Sequence, residues 1–150
     1  MRERLVAAMK TAMRAKDPRT LSTVRLILAA LKDRDIAART RGTGAAIGDD
    51  EILSLLQSMI KQRHESIALY EQGGRLELAQ QEAEEIEVIK RFLPAPMDDA
   101  DQAVAVNQTI ADLKADSLKD MGRVMAALKQ RHAGRMDFAK ASGLVKARLG

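Results

Sequence analysis

The sequence predicts an all-α protein, with an N-terminal helical subdomain of about four helices followed by a C-terminal three-helix tail. Three observations carry this. Hydrophobic residues make up 46% of the chain and are almost entirely Ala, Leu, Ile, Val and Met, recurring at intervals of three and four. Aromatic residues are limited to Tyr70, Phe92 and Phe138, and β-branched runs are short, so no segment reads as a pleated strand. Proline-bearing interruptions at Asp17-Pro18 and Leu93-Pro94-Ala95-Pro96 divide the periodic stretches at points where a helix cannot run on.

Each element follows in order. Leu5, Ala8/Met9 and Ala12/Met13 mark an amphipathic helix over about 2–16. Asp17 is a favourable N-cap and Pro18 a favourable first residue, so a second helix starts there with a stripe of Leu21, Val24, Leu28 and Leu31 and fades near Arg39. The glycines at 42, 44 and 48 make a flexible connection. Asp49 or Asp50 then caps a third helix carrying Ile52, Leu55/Leu56, Met59, Ile67 and Tyr70, which Gly73-Gly74 stops. A fourth helix over about 75–92 aligns Leu76, Ala79, Ala83, Ile86 and Ile89, and its acidic side, with Glu82, Glu84, Glu85 and Glu87, reads as solvated surface. The domain boundary falls at the prolines, giving a subdomain over 1–93, a linker over 94–96 and a tail over 97–150. In the tail, Asp98 caps a helix with Val106, Ile110 and Leu113 on one side. Ser117-Leu118-Lys119-Asp120 reads as a capping box opening a helix that buries Met121, Val124, Met125 and Leu128. A basic loop over 131–135 precedes a last helix from about Asp137 to Leu149 that uses Phe138, Val145 and Leu149.

Catalytic chemistry finds little support. With no cysteine, disulfides, thiolate metal sites and cysteine nucleophiles are excluded together. His64 and His132 lie far apart in sequence without a His-Glu-x-x-His arrangement, so neither a metal nor a cofactor is expected. The glycines over 42–48 have neither the spacing nor the preceding strand of a dinucleotide-binding loop, and the serines lie on or beside helices with no Gly-x-Ser-x-Gly turn. The start of the chain lacks an unbroken apolar core, and the longest apolar run, Leu26 to Leu31, is about a third of a bilayer span. A cytoplasmic protein with no membrane partner is the expectation.

The net charge of +4 hides a segmental pattern: residues 1–41 hold 11 basic and 4 acidic side chains, 42–112 hold 5 and 14, and 113–150 hold 9 and 3. The last block is the feature that points to a partner, because clustered cations bind phosphates through counterion release. Lys119, Arg123, Lys129, Arg131, Arg135 and Lys140 are the candidate RNA-binding residues, with Lys146 and Arg148 extending the cluster. Phe138 is the one aromatic residue there, so recognition would follow the backbone and shape of folded RNA instead of stacked bases. Solvated helix faces with no RNA partner remain the competing reading of the same charges.

Four patterns together resemble the GatB/YqeY family nearly end to end. They are Arg19-Thr20-Leu21-Ser22-Thr23-Val24-Arg25; Arg63-His64-Glu65-Ser66-Ile67 with Tyr70 and Gly74-Arg75; Glu85-Ile86-Glu87 leading to Leu93-Pro94; and Asp120-Met121-Gly122-Arg123-Val124-Met125 with Gly134-Arg135 and Asp137. The resemblance implies a stand-alone relative of the C-terminal region of the aspartyl/glutamyl-tRNA amidotransferase B subunit, which contacts the tRNA body. The implied function is a non-catalytic tRNA-binding accessory module associated with glutamine-dependent tRNA amidation, with tRNA and amidotransferase or other protein subunits as partners. The alternative is a helical protein–protein interaction adaptor with no RNA role. Carbon–nitrogen ligase activity with glutamine as amido donor would attach to the chain by family association alone. Carried over by position, Lys119, Arg123, Arg131 and Arg135 are the leading contacts, with Gly122 and Gly134 permitting close backbone approach or turns.

Overall fold

A computed structural model describes residues 1–42 and 45–150; Thr43 and Gly44, within the expected glycine connection, lie outside the described residues. Among those described, the chain forms helices and no strand. They are α1 (Arg2–Ala15), α2 (Pro18–Thr40), α3 (Asp49–Gln72), α4 (Leu76–Lys90), α5 (Asp99–Leu113), a short 3-10 turn (Leu118–Asp120), α6 (Met121–Arg131) and α7 (Phe138–Leu149). The chain divides into two compact units, Met1–Leu93 and Pro94–Gly150.

In the N-terminal unit, Leu5 of α1, Val24, Ile27 and Leu31 of α2, Ile52 and Leu56 of α3, and Ile89 of α4 form one core, all at 3% exposure or less. The α2 stripe is rotated from the expected one: Thr23 and Ile27 are fully buried where Leu21 and Leu28 had been expected at its centre. Thr23 can occupy that position because its hydroxyl donates to the Arg19 carbonyl at 2.8 Å, so no polar atom is left unsatisfied. Asp17 caps α2 as expected, accepting from the Thr20 backbone N–H at 3.1 Å and the Thr20 hydroxyl at 2.7 Å. α3 differs at its start. Gly48 occupies the N-cap position, and Asp49, Asp50 and Glu51 fill the first turn, where the exposed amide dipoles favour them without a cap bond.

Two expectations for α4 are corrected. Leu76 is 67% exposed and lies outside the core. Glu85, expected in water, is 6% exposed and accepts from Arg63 Nε at 2.9 Å. Arg19 approaches Glu85 at 3.9 Å and Glu84 at 3.0 Å, while Arg63 also lies 3.9 Å from Glu82. A buried carboxylate persists only when paired and hydrogen-bonded, so this ladder clamps α3 and α2 to α4. Burial and the neighbouring Glu85 push the Glu82 carboxyl above its ordinary value, against the pull of Arg63. At the other end of α2, Asp35 receives two bonds from the Arg2 guanidinium and one from the Ile47 backbone N–H.

The C-terminal unit closes around Val106, Val124, Leu128, Met136, Ala141 and Val145, each at most 1% exposed. Asp98 caps α5 through the Asp101 N–H at 2.7 Å. α1 and α5 end alike, on Lys16 and Lys114 in the left-handed region at φ 54° and 53°. In both, a backbone bond closes over the last turn, from Asp17 N–H to Ala12 O and from Ala115 N–H to Ile110 O, each 3.0 Å.

Candidate nucleic-acid interface

The C-terminal unit positions the six candidate cations on four consecutive segments. Lys119 lies on the 3-10 turn, Arg123 and Lys129 on α6, Arg131 at the end of α6, Arg135 in the following turn and Lys140 on the first turn of α7. The expected capping box does not form: Ser117 is extended at φ −150° and makes no side-chain cap bond. Asp120 carries the junction instead, accepting from the Asp116 backbone N–H at 3.1 Å and from Arg123 Nη2 at 3.0 Å. Those bonds hold its carboxyl below the ordinary value. α7 begins as expected, with Asp137 Oδ1 accepting from the N–H groups of Ala139 and Lys140 at 3.0 and 3.2 Å.

Most of the candidate cations already have partners. Arg131 Nη1 donates to Asp112 at 2.8 Å and to the buried Thr109 hydroxyl at 3.3 Å, tying α6 to α5. Arg135 Nε donates to the Ala95 carbonyl at 3.0 Å, and its own carbonyl accepts from Met97 N–H at 2.9 Å. Lys140 pairs with Asp99 at 3.3 Å, an exposed contact of the kind worth little in water. Arg148 Nε donates to Asn107 at 2.6 Å. Lys119 and Lys129 are exposed and have neither a hydrogen bond nor a carboxylate partner among the described residues.

Residues 119, 122, 123, 126 and 129 recur at helical spacing, so Lys119, Gly122, Arg123, Ala126 and Lys129 share the solvent side of the 3-10 turn and α6. All five are exposed. A side chain at Gly122 would meet nothing within 4 Å, so this glycine does not serve close helix packing; it leaves the surface low between the cations. Gly134 has a different role. Its φ of 77° lets the chain reverse after α6 and bring the Arg135 backbone to Met97. His132, half-buried in that turn, has its pKa lowered first by burial and then by Arg135 and Arg131, which favours the neutral ring at pH 7.

Sequence reasoning missed Met136, wholly buried between the basic loop and α7, because a lone methionine beside charged residues carries no periodic signal. It also missed the acidic partners of the basic cluster, which come from α5, about 20 to 40 residues earlier. Among the described residues no group of three or more His, Asp or Glu is placed to hold a metal ion.

A family model described as Yqey-like protein matches residues 2–149. Similar curated proteins include "Altered inheritance of mitochondria protein 41, mitochondrial" from three yeasts. The Lachancea thermotolerans protein is 33% identical over 57% of this chain and 43% of its own length. The Clavispora lusitaniae protein is 34% identical over 57% and 46%, and the Kluyveromyces lactis protein 29% identical over 71% and 56%. The chain thus spans about half the length of these relatives. Their names overturn the expected cytoplasmic location, since each is called mitochondrial. No helix among the described residues is long and apolar enough to cross a membrane.

Proposed function

Because the chain belongs to the Yqey-like protein family, we propose that it is a tRNA-binding accessory module, acting beside glutamine-dependent tRNA amidation without performing the chemistry. The observation that supports this best is the outer side of the 3-10 turn and α6, where Lys119 and Lys129 stand free of carboxylates among the described residues, on either side of Gly122 and Ala126. Phosphates are drawn to unpaired cations, and the low relief between them lets a sugar–phosphate backbone approach. Arg123 is 55% exposed, with its Nη2 donating to Asp120 at 3.0 Å and to the Leu113 carbonyl at 3.4 Å, and a phosphate contact would compete with those two exposed bonds. Arg131, Arg135 and Lys140 contribute differently: their bonds to α5 and to the segment before it shape the surface.

Binding of purified protein to folded tRNA, measured by fluorescence anisotropy over a salt series, tests this. Wild type should bind with an affinity that falls steeply with salt. Lys119→Ala/Lys129→Ala should weaken binding and reduce the salt slope by about 2, roughly one per phosphate contact. Binding that ignores both lysines would sink the α6 assignment. No binding at low salt would remove the RNA reading and leave the interaction adaptor in first place.

A further inference from the structure

The Arg2 guanidinium on α1 donates twice to Asp35 on α2, at 2.8 and 2.9 Å, and that contact fixes which edges of the two helices meet. On α1, positions 2, 6, 9 and 13 recur at helical spacing, so Val6 and Met13 lie along the α2-facing edge, with Lys10 and Arg14 just outside them. On α2, positions 25, 32, 35 and 39 recur in the same way, so Arg25, Lys32 and Arg39 lie along the α1-facing edge. The Arg2 bonds hold the Asp35 carboxyl low and Arg39 adds to that pull, in keeping with this placement.

All five cations are exposed, and none lies within ion-pair distance of a carboxylate among the described residues. Against them the same face sets Glu3, 3.8 Å from the N-terminal amine, and Asp35, already held by Arg2. Asp33 lines the groove on the other, α3-facing side of α2. Seven residues apart, Arg25, Lys32 and Arg39 follow one another at about 10 Å along the helix, so the charge forms a strip. Three apolar side chains reach water beside it. Val6 is 38%, Met13 51% and Ile36 49% exposed, and helical spacing puts Ile36 next to both Lys32 and Arg39.

We propose that the N-terminal unit lies on anionic membrane surfaces through the outer face of α1 and α2, with the five cations at the lipid phosphates and Val6, Met13 and Ile36 entering the headgroup layer. A nucleic-acid backbone would reward the cations and leave the apolar side chains in water. A charged headgroup layer rewards both at once, because acyl carbon lies directly beneath the phosphates. A protein lying on a surface needs no spanning helix, so the short apolar runs of this chain do not bear on this face.

Flotation of the nuclease-treated full chain with lipid vesicles provides the test. The chain should float with vesicles of phosphatidylcholine and phosphatidylserine in equal parts, stay behind with phosphatidylcholine alone, and be released by salt. Lys10→Gln/Arg25→Gln/Lys32→Gln should lower the partition about fivefold per cation removed. Met13→Ser/Ile36→Ser should lower it as well, although no charge changes. All five side chains are exposed, so the far-ultraviolet circular dichroism should not change. The chain has no tryptophan, so Met13→Trp places a reporter in the face; its emission should move to shorter wavelength with the phosphatidylserine vesicles, whereas that of Leu69→Trp, near the end of α3, should not. A chain that ignores phosphatidylserine vesicles at low salt overturns the proposal, as does partition indifferent to the charge variant. Partition unchanged in Met13→Ser/Ile36→Ser, with the Met13→Trp emission unmoved, would reduce the contact to charge alone and overturn it. Vesicle binding lost in Lys119→Ala/Lys129→Ala but kept in the α1–α2 charge variant would assign the lipid to the tail. A charge variant that loses folded tRNA or an acidic protein while keeping the vesicles would give the face to that partner, and either result overturns the proposal.

Discussion

Replacing Arg63 by Met should destabilise the N-terminal unit by roughly 2–3 kcal/mol. The side chains of Arg63 and Glu85 are only 13% and 8% exposed, with Nε and Oε2 2.9 Å apart. Removing one partner strands the other charge in a poorly solvated position, at a typical cost of about 3–5 kcal/mol when burial is complete. Here the loss is reduced because Arg19 stays 3.9 Å from Glu85. Replacing both residues by Met removes the stranded charge together with the pair, so Arg63→Met/Glu85→Met should be more stable than either single variant. Tyr70 on α3 is the one tyrosine and there is no tryptophan, so tyrosine fluorescence during urea unfolding reports this unit alone. Additive single-variant losses, or a cost below about 1 kcal/mol for Arg63→Met, would refute the claim that the pair is electrostatically buried.

Leu128→Ala should cost the C-terminal unit about 3 kcal/mol, because a wholly buried leucine leaves a cavity between α6 and its neighbours; circular dichroism should show a lower urea midpoint while the Tyr70 transition stays in place. Asp137→Ala, which removes two cap bonds at the start of α7, should cost about 1 kcal/mol, whereas Ser117→Ala should cost little because Ser117 makes no cap bond. Asp35, whose carboxyl is lowered from 3.8 to about 2 by Arg2 and by the Ile47 N–H, contributes stability that is full above pH 3.8 and lost as pH falls towards 2. Acid titration of unfolding should show that loss in wild type and a flatter curve over the same window in Asp35→Asn.

The helices were legible because their signals are local. Asp17-Pro18, Asp98 and Asp137 start α2, α5 and α7 where capping chemistry says they should, since a cap depends on residues two or three positions away. Glu85 was misread because nothing in its own neighbourhood distinguishes it from Glu84 or Glu87; its partners lie 22 residues away on α3 and 66 away on α2. The same limit applies to the basic tail. Nine cations against three carboxylates in 113–150 describe a charged segment, while Asp99 and Asp112, just outside it, pair with Lys140 and Arg131. Segmental charge was therefore readable, and which cations stand unpaired was not. Gly122 shows the reverse case, a glycine compatible in sequence with close packing that faces open solvent.

The left-handed lysines that end α1 and α5 define a reserve of stability that the chain leaves unused. A side chain at φ near 54° is strained by about 1 kcal/mol against glycine, which meets no such clash. Lys16→Gly and Lys114→Gly should therefore raise the melting temperature without adding a contact. At Lys114 the gain would remove a cation from the unit whose positive charge carries the proposed RNA contact, so resistance to heat and affinity for a polyanion would move in opposite directions. A thermostabilised version of this protein is better built from Lys16, with Lys114 kept as it stands.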